Sequence, residues 1–298
     1  MRHVKVMGIV NLSPDSFSQD GCPSLKAAQK RVDEVVGEGA DILDLGAEST
    51  RPGSNPVSLE EEWARMQPVL QWLTQVKLPV PLSIDTRKPE IFRRAVGFGA
   101  TWANDCSGAR DPEWISLLQE YPFVRYVLVH ADCNPKTMHL NPQYERGVVS
   151  EVREFFATKL AIGEEQGIDR SRVLVDPGVG FAKSTEHTLA VLASLGELKP
   201  PGTHMLVGLS RKRFLRDILQ KGGLTRTGDE VGHDRLAVAT LAAHLGIVDF
   251  VDVLRVHDVA LTQSALGVWN YLRQEGLKPS HATTSLTGAE GGACPAIA

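Results

Sequence analysis

A series of polar residues, Asn11, Glu48, Thr50, Arg51, Asp85, Asn104, Asp105, His130, Asp176, Lys212, Arg255 and His257, each stands at or just past the end of a short apolar run. Their types divide into two chemistries. Asp85 and Asp176 leave apolar strands, so they are partly desolvated carboxylates that need hydrogen-bond donors. A flat heterocycle with adjacent ring N–H and amino groups offers a carboxylate two parallel donors. Asn104 can donate and accept beside it, and Lys212 supplies a cation for a ring carbonyl or nitrogen. Arg51, Arg255 and His257 instead suit a phosphate or diphosphate, with arginine giving two-pronged contacts. A side-chain oxygen from Asn11 or nearby Asp15 can hold Mg²⁺, which takes few protein ligands and keeps water and phosphate oxygens. No Walker loop and no GxGxxG motif is present, so a nucleotide is not the obvious ligand. Taken singly, each residue has a plainer reading. Asp85 or Asp105 could cap a helix, His130 could be a core histidine, and Cys106 and Cys133 read as packing thiols.

The elements that must position these groups repeat one pattern. The run Asp41-Ile42-Leu43-Asp44-Leu45-Gly46 is short enough for a buried strand, and it breaks into the polar loop 47–53. Strands of a parallel sheet are covered on both faces, so their polar chemistry emerges where they end. The same alternation places strands at 4–12, 81–85, 102–105, 123–130, 173–176, 205–209 and 251–256. Helices fall between them. Leu25, Ala28, Val32 and Val35 are spaced three and four apart behind Ser24, a capping residue. Ser58 and Glu61 form a capping-box pattern ahead of Leu59, Trp63, Met66, Leu70 and Leu73. Further helices open near Pro89 and at Asp111-Pro112-Glu113, run from 142 to 166, and end near 273. Eight strands alternating with helices predict a (β/α)₈ TIM barrel, with a doubly wound open sheet as the rival. In a barrel the strand ends converge on one face. No linker divides the chain, so we expect one domain over 1–275. Residues 276–298 are rich in Ser, Thr, Gly and Ala without apolar period and read as a disordered tail, and 222–232 reads as a flexible insertion.

Composition narrows the classes. The chain has 298 residues, 42% of them hydrophobic and 23% charged, which is ordinary globular composition. A net charge of −4 disfavours a general nucleic-acid or anionic-membrane surface. No apolar run approaches the roughly 20 residues that span a bilayer, and the N-terminus enters strand-like sequence without a secretory signal. Cys22, Cys106, Cys133 and Cys294 are scattered without a CxxC pair and read as free thiols of a reducing cytoplasm.

Several stretches together resemble the dihydropteroate synthases of folate biosynthesis. They are 7–17 (MGIVNLSPDSF), 48–53 (ESTRPG), 83–86 (SIDT), 104–108 (NDCSG), 176–181 (DPGVGF), 210–212 (SRK) and 255–258 (RVHD), in the family's order. The resemblance implies a (β/α)₈ transferase that joins a dihydropterin methyl diphosphate to p-aminobenzoate and releases pyrophosphate. By motif match, Asp85, Asn104, Asp176 and Lys212 would hold the pterin. Asn11, Arg255 and His257 would hold diphosphate and Mg²⁺, with Asn11 on the metal. Thr50, Arg51, Pro52, Phe181 and Arg213, at the start of the helix after Lys212, would border the aminobenzoate site. Asp176, Lys212, Arg255 and His257 would carry the catalysis, and the barrels would pair as homodimers.

The chain departs from the family pattern in places. Ala47 stands where a glycine is usual, Val129-His130-Ala131 replaces a Met-His-Met run, and Arg216 takes a glycine position. We expect Arg216 to alter helix packing near Phe17 and Pro52 and so raise tolerance of sulfonamides, which mimic p-aminobenzoate; the alternative is that Arg216 points to solvent and changes nothing. A pterin-binding methyltransferase domain and a non-catalytic pterin-binding protein are the alternatives. Arg51, Ser-Arg-Lys and the Arg-Val-His end argue for diphosphate chemistry instead.

Overall fold

A computed structural model describes residues 4–13, 24–49, 56–131, 143–224 and 231–276. Strand β1 (Lys5–Asn11) leads to helix α1 (Leu25–Gly37), and β2 (Ile42–Gly46) to α2 (Leu59–Val76). Then come β3 (Leu82–Asp85), α3 (Pro89–Val96), β4 (Ala100–Asp105), α4 (Glu113–Glu120), β5 (Arg125–Val129) and α5 (Val148–Glu165). The second half holds β6 (Val173–Asp176), α6 (Thr185–Ala193), α7 (Leu195–Leu198), β7 (His204–Val207), α8 (Arg213–Lys221), α9 (His233–Ile247), β8 (Val253–Val256) and α10 (Val259–Gln274). The strands close in sequence order, each parallel to its neighbours, with β1 pairing both β2 and β8. This is the TIM barrel expected from the alternation, and the open-sheet rival is excluded by closure.

Period-two alternation sorts the strand residues into two layers. Met7, Ile42, Trp102, Val127, Val129, Leu174, Leu206 and Val253 fill the barrel interior as one buried cluster. Their sequence neighbours, such as Leu43, Leu45, Ala103, Leu128, Val175 and Val207, belong to the larger core beneath the helices. Gly8 shows how tightly that outer layer packs, because a Cβ there would lie 2.4 Å from Val35 of α1 and 2.9 Å from Val259 of α10.

Local signals place most boundaries. Ser24 accepts from the Ala27 N–H at the start of α1, and Ser58 accepts from the Glu61 N–H. Only that half of the expected capping box is found, because the Glu61 carboxylate pairs with Arg65 one turn on. A reciprocal box does form at Ser184, with His187 in the glutamate's place. Strand β4 starts at Ala100, before the expected 102, and β5 only at Arg125, since Phe123 is exposed. Helix α5 begins at Val148 rather than 142, after Gly147 in the left-handed region. Residues 225–230 of the expected insertion and the tail from 277 onward lie outside the described residues. Among the described residues, no helix is long and apolar enough to cross a membrane.

One buried group makes stability depend on pH. His244 of α9 is 1% exposed, and neither ring nitrogen has a hydrogen-bond partner among the described residues. Burial alone pulls its pKa from 6.5 to about 4. The folded ring stays neutral while the unfolded one takes up a proton below pH 6.5. Stability is therefore full above about 6.5 and is lost as pH falls toward 4, up to about 3 kcal/mol. His244→Leu should raise the melting temperature more at pH 5 than at pH 8. Equal shifts at both pH values would assign the loss to other groups.

Candidate active site

The carboxyl ends of the strands are brought into one row by the register. Asn11 pairs with Gly46, Gly46 with Asp85, and Asp85 with Asn104, across β1 to β4. Val129 pairs with Asp176 on the next two strands. Alternation decides which of two adjacent polar residues faces this mouth. Asn104 points inward, and its amide donates to Asp44 at 3.3 Å. Asp105 points outward beneath the helices. There it accepts from the Ser107 and Ala109 backbone N–H groups at 2.7 Å each and from the Tyr126 hydroxyl at 2.5 Å. Asp105 therefore builds the turn after β4 and does not face the site.

Asp44 was not singled out from the sequence, yet it is the floor of the site. It is fully buried in β2. Its Oδ2 accepts from Arg255 Nε at 2.6 Å and from the Asn104 amide, and its Oδ1 accepts from the Ser83 hydroxyl at 2.6 Å. Arg255 Nη2 donates to Asp85 Oδ2, also at 2.6 Å. Asp85 and Arg255, read from the sequence as belonging to separate subsites, are thus in direct contact. Burial pushes the Asp85 carboxyl up to about 7, with Asp44 adding to the rise and Arg255 opposing it. Burial works against the Arg255 charge, but Asp44 and Asp85 more than reverse this and hold the guanidinium above its ordinary value.

Asp176 and Lys212 form the opposite side. Burial raises the Asp176 carboxyl, while Lys212, the Gly178 N–H at 2.8 Å and Arg255 pull it back. The Lys212 ammonium is lowered to about 8 by burial, against the attraction of Asp176. It donates to the Val179 carbonyl and stands 5.1 Å from the centre of the Phe181 ring. Lys212 is also the cap residue of α8. Arg213 is exposed, within 3.8 Å of Asp217. Arg216 is exposed as well, and the packed face of α8 is Phe214 and Leu215. Arg216 thus points away from that packed face, and Phe17 and Pro52, near which it was expected to alter helix packing, lie outside the described residues. His257 follows β8, with its N–H 3.4 Å from the Ser210 hydroxyl.

Two sequence candidates have other work. Glu48 is buried and pairs with Arg87 and with Lys88 at 2.8 Å, and it accepts from the Val57 N–H at 3.2 Å. Lys88 also meets the buried Glu62, which accepts from Thr86. Burial raises the Glu48 carboxyl, and the bonds and charges of Arg87 and Lys88 more than offset this. Glu48 thus ties the loop after β2 to the loop after β3. His130 is neutral, lowered to about 3 by burial and then by Lys183, whose Nζ lies 2.9 Å from its Nδ1. Lys183 itself went unread, because a lysine in a polar loop is ordinarily solvated. Cys106 is buried. Asp15, Thr50, Arg51, Pro52, Cys22, Cys133 and Cys294 lie outside the described residues.

The closed barrel thus carries carboxylates, an amide and buried cations at the carboxyl ends of its strands. Residues 7–257 match the family described as "Pterin binding enzyme". A dihydropteroate synthase of Neisseria meningitidis is 38% identical over 274 residues, covering 90% of this chain and 92% of that protein. Among solved structures, Xanthomonas albilineans dihydropteroate synthase with 4-aminobenzoic acid is 39% identical with a TM-score of 0.78, over 91% of this chain and 93% of that one. The same enzyme in complex with 7,8-dihydropteroate matches at 36% identity and a TM-score of 0.74, again over 91% and 93%. The chain belongs to the dihydropteroate synthase family.

Proposed function

We infer that the chain condenses 6-hydroxymethyl-7,8-dihydropterin diphosphate with p-aminobenzoate, giving 7,8-dihydropteroate and pyrophosphate. The observation that carries this reading is the contact of Arg255 with Asp44 and Asp85, facing Asp176 and Lys212 at one barrel mouth. It supplies donors and acceptors for a polar flat ring and cationic groups for an anion. The pterin lies against Asp85, Asn104, Asp176 and Lys212. Diphosphate meets Asn11, His257 and Arg255, whose Nε and Nη2 each give one N–H to a carboxylate, leaving three N–H donors for phosphate. The aminobenzoate lies by Thr50, Arg51, Pro52 and Phe181, its carboxylate toward the positive start of α8 with Arg213 adding charge.

As the C–O bond to diphosphate breaks, positive charge grows on the exocyclic carbon and spreads into the pterin. Asp176 and Asp85 favour that cation, and Arg255 and His257 favour the departing anion, all by preorganised charge. The arylamine nitrogen then bonds to the carbon and loses a proton. No covalent protein intermediate is needed.

Among the described residues no cluster of three acidic, imidazole or thiol side chains could enclose a metal. The donor set still fits Mg²⁺, since Asn11, half-buried at the end of β1, would offer its amide oxygen to an ion that takes few protein ligands. When bound, Mg²⁺ neutralises charge on the leaving diphosphate. Chelation should abolish turnover and added Mg²⁺ restore it, while the melting temperature of the free protein changes by less than about 2 °C. A large loss of melting temperature on chelation would contradict a site with so few protein ligands.

We place the activity in residues 1–275 and expect a homodimer in the cytoplasm. Exposed Val238 on α9 and Val268 and Tyr271 on the adjacent α10 support pairing through outer helices. Light scattering should give twice the 32.5 kDa chain mass. The function itself is tested by incubating the protein with both substrates and Mg²⁺ and identifying 7,8-dihydropteroate by mass. Absence of that product would overturn the reading.

A further inference from the structure

Lys183 is a buried cation to which the mechanism above gives no task. It is 8% exposed and follows the turn after β6. Its Nζ donates to the His130 carbonyl at 3.2 Å and the Phe181 carbonyl at 3.1 Å, and it lies 2.9 Å from His130 Nδ1. An ammonium has three donors and no acceptor capacity, so three acceptors around it are a complete set. Nδ1 must then be the accepting nitrogen, and the proton of the neutral ring belongs on Nε2. Burial draws the ammonium down to about 7, with Asp176 opposing. The three-acceptor geometry favours the charged form.

The same point joins two strands and the turn between the subsites. The His130 N–H donates to the Asp176 carbonyl at 2.8 Å, so the strand ends meet where Lys183 binds. Asp176 Oδ1 accepts from the Gly178 N–H, and Gly178 has a φ of +67°. A Cβ on Gly178 would lie 1.9 Å from the His130 carbonyl oxygen. The turn is thus pressed onto the atom that Lys183 grips. At its far end the Phe181 carbonyl is held by Lys183, while the Phe181 ring faces Lys212.

We propose that Lys183 is a positioning residue. It fixes His130 as the Nε2–H tautomer and clamps the Asp176–Phe181 turn, keeping the Asp176 carboxylate and the Phe181 ring in place for the substrates. The kinetic part of this rests on the synthase reading, and the tautomer part does not. Loss of the clamp should loosen ground-state binding more than the chemical step, because Lys183 Nζ is spent on His130 and Phe181.

The test is ¹⁵N–¹H spectroscopy of the histidine rings in the full chain, with His130 assigned by its loss in His130→Gln. The wild type should show an unprotonated, accepting Nδ1 and a protonated Nε2 between about pH 5 and 6.5, where Lys183 carries its charge. In Lys183→Met the ring should leave the fixed tautomer or titrate near its ordinary pKa. The KM for the dihydropterin diphosphate should rise by about tenfold or more, with kcat falling by less than about threefold. A wild-type Nδ1–H tautomer would overturn the proposal, and this needs no variant to fold. An unchanged KM in Lys183→Met would overturn the clamp. A chain that makes no dihydropteroate yet shows the fixed tautomer would defeat the functional reading alone.

Discussion

Lys212→Ala and Asp176→Asn should each fold with a near-normal melting temperature and lose about 10²–10³-fold in kcat/KM, the cost of a buried charged hydrogen bond and its stranded partner. Asp176 ends β6 and Lys212 caps α8, both outside the apolar layers, which is why folding should survive. Asp176→Asn keeps the shape and can still accept from the Gly178 N–H, so its effect isolates the charge. Removing that charge also takes away the main attraction that sustains the Lys212 ammonium. The two losses should therefore not add, and the double variant should be little worse than the poorer single one. With Lys212 lowered to about 8, wild-type kcat/KM should also fall on the alkaline side near that pH. Thermal melts and steady-state kinetics on the purified variants provide the check. Near-normal turnover in either one would remove that residue from the site.

The second large effect is expected at Asp44. Asp44→Ala removes the common acceptor for Arg255, Asn104 and Ser83 and leaves part of the Arg255 charge unpaired at the barrel floor. Breaking a buried ion pair in this one-sided way typically costs about 3–5 kcal/mol. Asp85 still holds Nη2, so the lower end of that range is expected. The melting temperature should drop by several degrees and kcat/KM by at least about tenfold, since Arg255 and Asn104 both lose their orientation. An unchanged melting temperature together with unchanged activity would show that Asp44 positions nothing.

Asp44 also shows what in the site was legible from the sequence. The eight strands and most helices could be read because each is marked locally, by apolar runs of strand length, by Ser24 and Ser58 as caps, and by Pro89 at a helix start. Polar residues that end those runs were found as a set. Asp44 was missed because it lies inside its run, where one acid among Ile42, Leu43 and Leu45 reads as an irregularity. The signal was there in the period of two, which sets Asp44 on the interior face with Ile42 and Gly46. The same period separates Asn104, facing the mouth, from Asp105, facing the helices. Other features have no local mark. Glu48 is diverted into a network with Arg87 and Lys88 that only the adjacent loops create. Lys183 becomes buried because the β5 end closes over it, and the double claim on Arg255 by Asp44 and Asp85 arises only when β8 returns beside β1.

The central claim is that this barrel mouth couples departure of diphosphate to attack by an arylamine. The most direct measurement is pyrophosphate release from the dihydropterin diphosphate with Mg²⁺, with and without p-aminobenzoate. The account predicts release that depends on p-aminobenzoate and matches dihydropteroate formation one to one. Release at the same rate without the arylamine, or no release with both substrates present, would contradict it.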